Sequence, residues 1–241
     1  RSLPAWIRQI LGSPLVRVLP RNERLKRAVR SLGIPEPLER LAQVYTIFDP
    51  DLKCRLYRAG IINGHTRQPW ECVKYWQENV KQLDGLSQML YVDARFSLAD
   101  NLLMYGDKMS MAVSLEARVP FLDLELMKLV ESIPPQFKIR GRNQKYILKR
   151  AVSAWLSPEI IRRKKIGFVT PIDQWFNRDL RQYIGDQLLS SGSACCYYFE
   201  PATIKRMIAD HESRRHDYKR HLFSLLTFEL WHDQFISRNN Q

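Results

Sequence analysis

Residues 96–123, FSLADNLLMYGDKMSMAVSLEARVPFLD, decide how the rest of the chain is read. Ser97 is a helix-capping residue type, and Asp100 follows three residues later as an acidic variant of the capping box. Leu98, Leu102, Tyr105, Met109 and Ala112 fall on one helical stripe. The spacing predicts a helix from Ser97 to about Ala117. Val119-Pro120 forces an extended exit, because the residue before proline is pushed out of the helical region. Asp123 is placed to cap the next helix. Asp107, Lys108, Glu116 and Arg118 lie among apolar neighbours, and a charge withdrawn from water needs a partner or a ligand. Chemistry is therefore sought here first.

The surrounding chain is basic. Its 241 residues carry 38 Lys and Arg against 25 Asp and Glu, a formal charge of +13. The excess is concentrated: residues 1–58 hold 12 basic and 5 acidic residues, and residues 138–165 hold 10 and one. A basic helical face suits a nucleic acid or a membrane surface, and more commonly plain solvation or an acidic neighbouring domain. The four cysteines have no metal-ligand spacing and no convincing disulfide framework, which fits a reduced, cytoplasmic protein. No apolar run reaches the length that spans a bilayer. The chain opens at Arg1 on a basic amphipathic segment and reads as part of something longer.

Helical grammar continues on both sides. Asn22 is positioned to cap ERLKRAVRSL, Pro35-Glu36-Pro37 to start a helix over 38–48, and Pro50 to open another. Val73, Trp76, Val80 and Leu83 form the apolar face of a helix over 70–83. Asn143 is expected to cap a helix reaching Trp155, and Ser157-Pro158-Glu159 starts the next. Ile172, Phe176, Leu180, Ile184 and Leu188 repeat every four residues behind Thr170-Pro171. Two further helices are expected over 201–215 and 218–235. His211, His216 and His221 sit five apart, which puts no pair well on one helical face for metal ligation, so no metal ligand is named. Sustained strand alternation is absent. The fold class expected is all-α, with at most a minor hairpin, in three stretches: basic N-terminal helices (1–95), a segment bordering an active site (96–170) and C-terminal helices (171–241).

Two motifs carry a family resemblance. Asp107-Lys108-Met109-Ser110-Met111-Ala112, followed by Ser114 to Asp123, resembles the Asp-(Arg/Lys)-x-Ser-Met-Ala and Ser-Leu-Glu-(Ala/Val)-Arg-Val-Pro-Phe-Leu-Asp run of the glutamine-dependent asparagine synthetases. Arg163-Lys164-Lys165-Ile166-Gly167-Phe168 resembles that family's Arg-x-Lys-x-Gly-Phe loop, and Lys145 matches the lysine of its Gly-x-x-x-Lys-Tyr-x-Leu segment. Alone, RRKK reads as a solvated charge run; the Gly-Phe continuation and the upstream motif turn the reading toward a site. The family's Ser-Gly-Gly-x-Asp-Ser phosphate loop and its Gly-x-Gly-x-Asp-Glu loop do not occur in this sequence.

The resemblance implies the helical C-terminal portion of an α/β, adenine-nucleotide α-hydrolase-like synthetase domain whose parallel-sheet nucleotide half is not in this chain. It implies ATP and Mg2+ as requirements of the parent enzyme, with neither expected to bind this stretch alone. Aspartate and ammonia released from glutamine would be the substrates, and the missing N-terminal domains the partners. Lys165 is implied as catalytic, Arg118, Glu116, Lys145 and Gly167 as substrate- or phosphate-binding, and Asp107, Lys108 and Asp123 as supporting residues. Glu116 and Arg118 also read as a structural ion pair pinning the turn, and Lys145 as the partner of a neighbouring carboxylate. A homodimer is compatible with the resemblance; membrane and nucleic-acid contacts are not expected. Two other readings stay open: a relative that adenylates a different acid, as β-lactam synthetases and peptide cyclases do, and a non-catalytic basic helical binding module. The lack of aromatic residues within Arg162–Lys165 counts against the last.

Overall fold

The structure, a computed structural model, describes residues 31, 34, 36–61, 70–166 and 170–237. The expected helices before residue 31 lie outside these, as do Gly167 and Phe168. In chain order the helices are α1 (Pro37–Tyr45), α2 (Pro50–Leu56), α3 (Trp70–Glu78), α4 (Gly85–Asp93), α5 (Met104–Met111), α6 (Leu124–Ser132), α7 (Pro135–Lys138), α8 (Tyr146–Ala151), α9 (Pro158–Arg162), α10 (Ile172–Asn177), α11 (Arg181–Leu189), α12 (Ala194–Tyr198), α13 (Pro201–Glu212) and α14 (Lys219–His232). A two-stranded antiparallel hairpin, β1 (Ile139–Arg140) and β2 (Asn143–Gln144), is the only sheet among the described residues. The mostly helical expectation holds.

The chain divides into two compact units, residues 1–71 with 169–241, and residues 72–168. In the first, α2, α10–α14 and the joint between α12 and α13 bury Leu52, Leu56, Phe176, Ile184, Leu188, Cys195, Phe199, Ile204, Met207, Leu222, Leu225 and Leu226 in one cluster. Each such aliphatic side chain contributes about 1.5–3 kcal/mol when removed from water. The fourfold repeat from Ile172 to Leu188 is split between α10 and α11 by a turn at 178–180, where the Leu180 amide donates to the Trp175 carbonyl at 2.7 Å. Phe176, Ile184 and Leu188 still reach the core.

Long-range polar contacts tie this unit together. Glu229, on α14 and buried, accepts the Ala194 and Cys195 amides at 3.0 and 2.7 Å. It supplies the acceptors that the first turn of α12 cannot find within its own helix. Ser193 accepts the Cys196 amide at 3.0 Å and completes that cap. The Glu200 amide donates to the Leu56 carbonyl and the Thr203 hydroxyl to that of Arg55, joining α2 to the start of α13.

In the second unit α4 begins at Asp84, which accepts the Leu86 and Ser87 amides. Helical backbone then runs through a π-type stretch, Ala94–Leu103, into α5. The expected cap at Ser97 therefore lies inside a helix already started thirteen residues earlier, and α5 ends at Met111 rather than near Ala117. Ser114, at φ 59, turns the chain out. Val119 is extended and Asp123 accepts the Glu125 and Leu126 amides to cap α6, both as the sequence predicts. Asn143 does not cap a helix; it pairs with Arg140 in the hairpin, and α8 starts only at Tyr146.

Candidate active-site segment

Between residues 94 and 166 no side chain is buried. The apolar stripe of this helix is open: Leu102 is 61% exposed and Tyr105 65%. Phe121, Trp155 and Ile166 are also exposed. Single exposed apolar residues need no explanation, but a continuous series of this size marks a surface that normally meets another protein surface.

The charged residues singled out by sequence share this exposure, which corrects the expectation that they are buried. Asp107 and Lys108 lie on α5, facing solvent. Glu116 and Arg118 form an ion pair across one intervening residue, with their side chains 68% and 86% exposed. Such a pair contributes about 0–1 kcal/mol, because water screens it and two long side chains lose freedom. It orients the turn more than it stabilises it.

Lys145 has the most unusual backbone of the set. It joins β2 to α8 at φ 55 and ψ 38, in the left-handed region. A residue with a Cβ pays roughly 1–2 kcal/mol for that conformation, and such strain concentrates where a side chain must be aimed. Two contacts flank it. Arg140 donates to the Tyr146 hydroxyl at 2.9 Å, its guanidinium 5.3 Å from that ring's centroid. Lys149 donates to Asn143 Oδ1 at 3.0 Å. Gly141, at φ 59, provides the turn that brings Arg140 opposite Asn143.

Lys165 follows α9 in irregular backbone and is exposed. Among the described residues, neither Lys145 nor Lys165 has a side-chain hydrogen bond or ion pair. Arg142, Arg150, Arg162, Arg163 and Lys164 are exposed along the same stretch. The structure thus displays unpaired cations without acidic partners, the electrostatic character that attracts phosphate or carboxylate.

Tertiary packing in the first unit also makes a cluster that the histidine spacing did not reveal. One ligand-type atom each from Asp173, His211 and Asp217 lie within 4.8 Å of one another. His211 is buried, and its Nδ1 accepts the Tyr218 amide at 3.3 Å. In the neutral ring the proton then sits on Nε2, the nitrogen 3.8 Å from Asp173 Oδ1. A metal on Nε2 would move that proton to Nδ1, against an amide that is already a donor. The arrangement suits a buried imidazole bracing three segments better than a metal ligand. Asp217 is held below the usual carboxylate range: burial opposes this, but hydrogen bonds from the Lys219 side chain and amide outweigh it.

A groove of about 580 Å3 between α11 and α13 is bounded by Arg178, Lys205 and the Arg181–Glu212 pair. No residue singled out by sequence lines it.

The comparisons with known proteins bear on the whole chain. A family model described as asparagine synthase matches residues 5–233. Asparagine synthetase [glutamine-hydrolyzing] 1 of Bacillus subtilis is 30% identical over 164 residues, covering 68% of this chain and 26% of that protein. Asparagine synthetase [glutamine-hydrolyzing] 3 of the same organism is 40% identical over 78 residues, 32% of this chain and 12% of that protein. An amidase of Penicillium rubens is 29% identical over 96 residues, 36% and 14% respectively. No solved structure gives a significant match. The chain spans about a quarter of the length of the first of these relatives. A match running from residue 5 to residue 233, through both cationic blocks and the turn around Pro120, places this chain in the asparagine synthase family.

Proposed function

We propose that this chain is the helical part of an ATP-dependent, glutamine-hydrolysing asparagine synthetase acting in the cytoplasm. The observation that carries this is the family match over residues 5–233, joined to exposed, unpaired lysines at positions 145 and 165. In the reaction proposed, a side-chain carboxylate oxygen of aspartate attacks the α-phosphorus of ATP and pyrophosphate leaves. Ammonia then attacks the acyl carbon and AMP leaves. Negative charge develops on phosphate oxygens in the first step, and fixed cations stabilise it most when they need not reorganise.

Lys165 is the catalytic cation of this proposal. Its backbone is irregular and its side chain exposed, and a point charge on a flexible stem suits a segment that must follow a substrate. Lys145 adds a second cation whose direction is set by its backbone. Arg118, Glu116 and Gly167 complete the substrate-binding set, with Asp107, Lys108 and Asp123 supporting it. Asp123 is already committed to the first turn of α6.

Magnesium receives no ligands from this chain in the proposal. Among the described residues the three-ligand cluster is Asp173, His211 and Asp217, and its imidazole is committed to the Tyr218 amide. The open apolar face of residues 94–166 is the surface on which the sheet-containing nucleotide half of the synthetase domain would pack. Without it, this stretch should not catalyse.

The test is Lys165→Ala in the full-length protein. Amide synthesis should fall about a hundredfold, since one cation aimed at developing charge contributes about 3 kcal/mol. The melting temperature should hold, because the side chain is exposed. Lys165→Arg should rescue poorly. Near-normal synthesis by Lys165→Ala would remove it from the site. A second reading is a relative that activates another acid. Pyrophosphate release measured across a panel of carboxylic acids separates the two.

A further inference from the structure

We infer that Arg140 is a positioning residue for Lys145. The inference rests on the reading of Lys145 as a phosphate- or carboxylate-binding cation and adds what aims it. Lys145 stands at the one joint between β2 and α8, and its left-handed backbone is not the conformation a lysine adopts unaided. The two residues paired across the hairpin, Arg140 and Asn143, each reach forward to the helix that follows. Arg140 holds Tyr146, the residue directly after Lys145, by a 2.9 Å hydrogen bond and by stacking. Asn143 accepts from Lys149, one helical turn further on. The Lys149 amide in turn donates to the Lys145 carbonyl at 3.0 Å. Lys145 is thus bracketed on both sides, and releasing either contact lets its φ relax to the negative region. That rotation swings Cβ and carries the ammonium away from its set direction.

Arg140 suits the task because the planar guanidinium stacks and donates at once, which an ammonium does not. The Arg140 guanidinium is engaged with Tyr146, and its contribution on this inference passes through Lys145 rather than through its own charge.

The experiment is a double-mutant cycle in the full-length protein, read as kcat and KM for amide synthesis and as melting temperature. Arg140→Lys keeps the charge and should lower kcat about tenfold with KM for ATP and melting temperature little changed. Asn143→Ala, releasing the other contact, should do the same. In a Lys145→Ala background Arg140→Lys should cost nothing further, because residues acting as one unit are not additive. Equal losses with and without Lys145 would overturn the inference by giving Arg140 its own substrate contact. Normal turnover by Arg140→Lys, beside an inactive Lys145→Ala, would overturn it and leave Lys145 in the site. Near-normal synthesis by Lys145→Ala would instead overturn the reading beneath it.

Discussion

Replacing Glu229 tests how the first unit is held together. Its carboxylate is buried on α14 and takes two amide hydrogen bonds, from Ala194 at 3.0 Å and Cys195 at 2.7 Å. Both donors belong to the first turn of a five-residue helix, too short to stand without capping. A hydrogen bond to a charged group contributes about 1.5–3 kcal/mol, and a buried amide left facing no acceptor costs a similar amount. Glu229→Gln keeps one acceptor oxygen and turns an NH2 group toward the other amide. One bond is lost and two donors face each other. The expected destabilisation is about 2 kcal/mol, roughly a thirtyfold shift toward the unfolded state. Glu229→Ala strands both amides and leaves a void, for about 3–4 kcal/mol. Urea unfolding followed by far-ultraviolet circular dichroism reads this directly: the midpoint should fall while the slope is unchanged. A Glu229→Gln midpoint within about 0.5 kcal/mol of wild type would refute the reasoning, since α12 would then need no carboxylate.

Two further outcomes follow from the same unit. Cys195 is buried, and burial followed by the nearby Glu229 carboxylate pushes its thiol well above the ordinary range, whereas Cys54 is exposed. Under native conditions an alkylating reagent should modify Cys54 first and Cys195 only on unfolding, as mass spectrometry of the labelled peptides will show; equal rates would mean that the helix around Cys195 opens readily. Asp217 has a lowered folded-state pKa, so its ionised form contributes stability above the unfolded value, about 3.9, which is lost as pH falls through the folded value. The stability difference between wild type and Asp217→Asn should be full at neutral pH and shrink below about pH 4. A difference that grows on acidification would reverse the assignment.

What the sequence determined by itself was local. Asp123 caps α6 by accepting from amides two and three residues away. Pro50 opens α2 behind Asp49, and Val119 is extended ahead of Pro120. These rest on steric rules and hydrogen bonds within a turn of helix, which a linear pattern records. The family is legible for the same reason: its motifs are contiguous runs around residues 107–123 and 163–168. Of the candidate site, the lysines could be named from the family resemblance of the runs that hold them, and the strained backbone at Lys145 could not.

Tertiary structure decided the rest. Ser97 has the chemistry of a cap, but a helix begun at Asp84 propagates through it, because extending a helix costs less than nucleating a new one. Asn143 was drawn into pairing with Arg140, since Gly141 permits a hairpin turn there. The stripe from Leu98 to Ala112 has helical period, yet period alone names a face and not what covers it. Glu229 meets Ala194 and Cys195 across 35 and 34 residues, and His211 meets Asp173 across a comparable span. No spacing rule reaches that far, because such contacts exist only after the helices have packed and their buried polar groups have had to find one another.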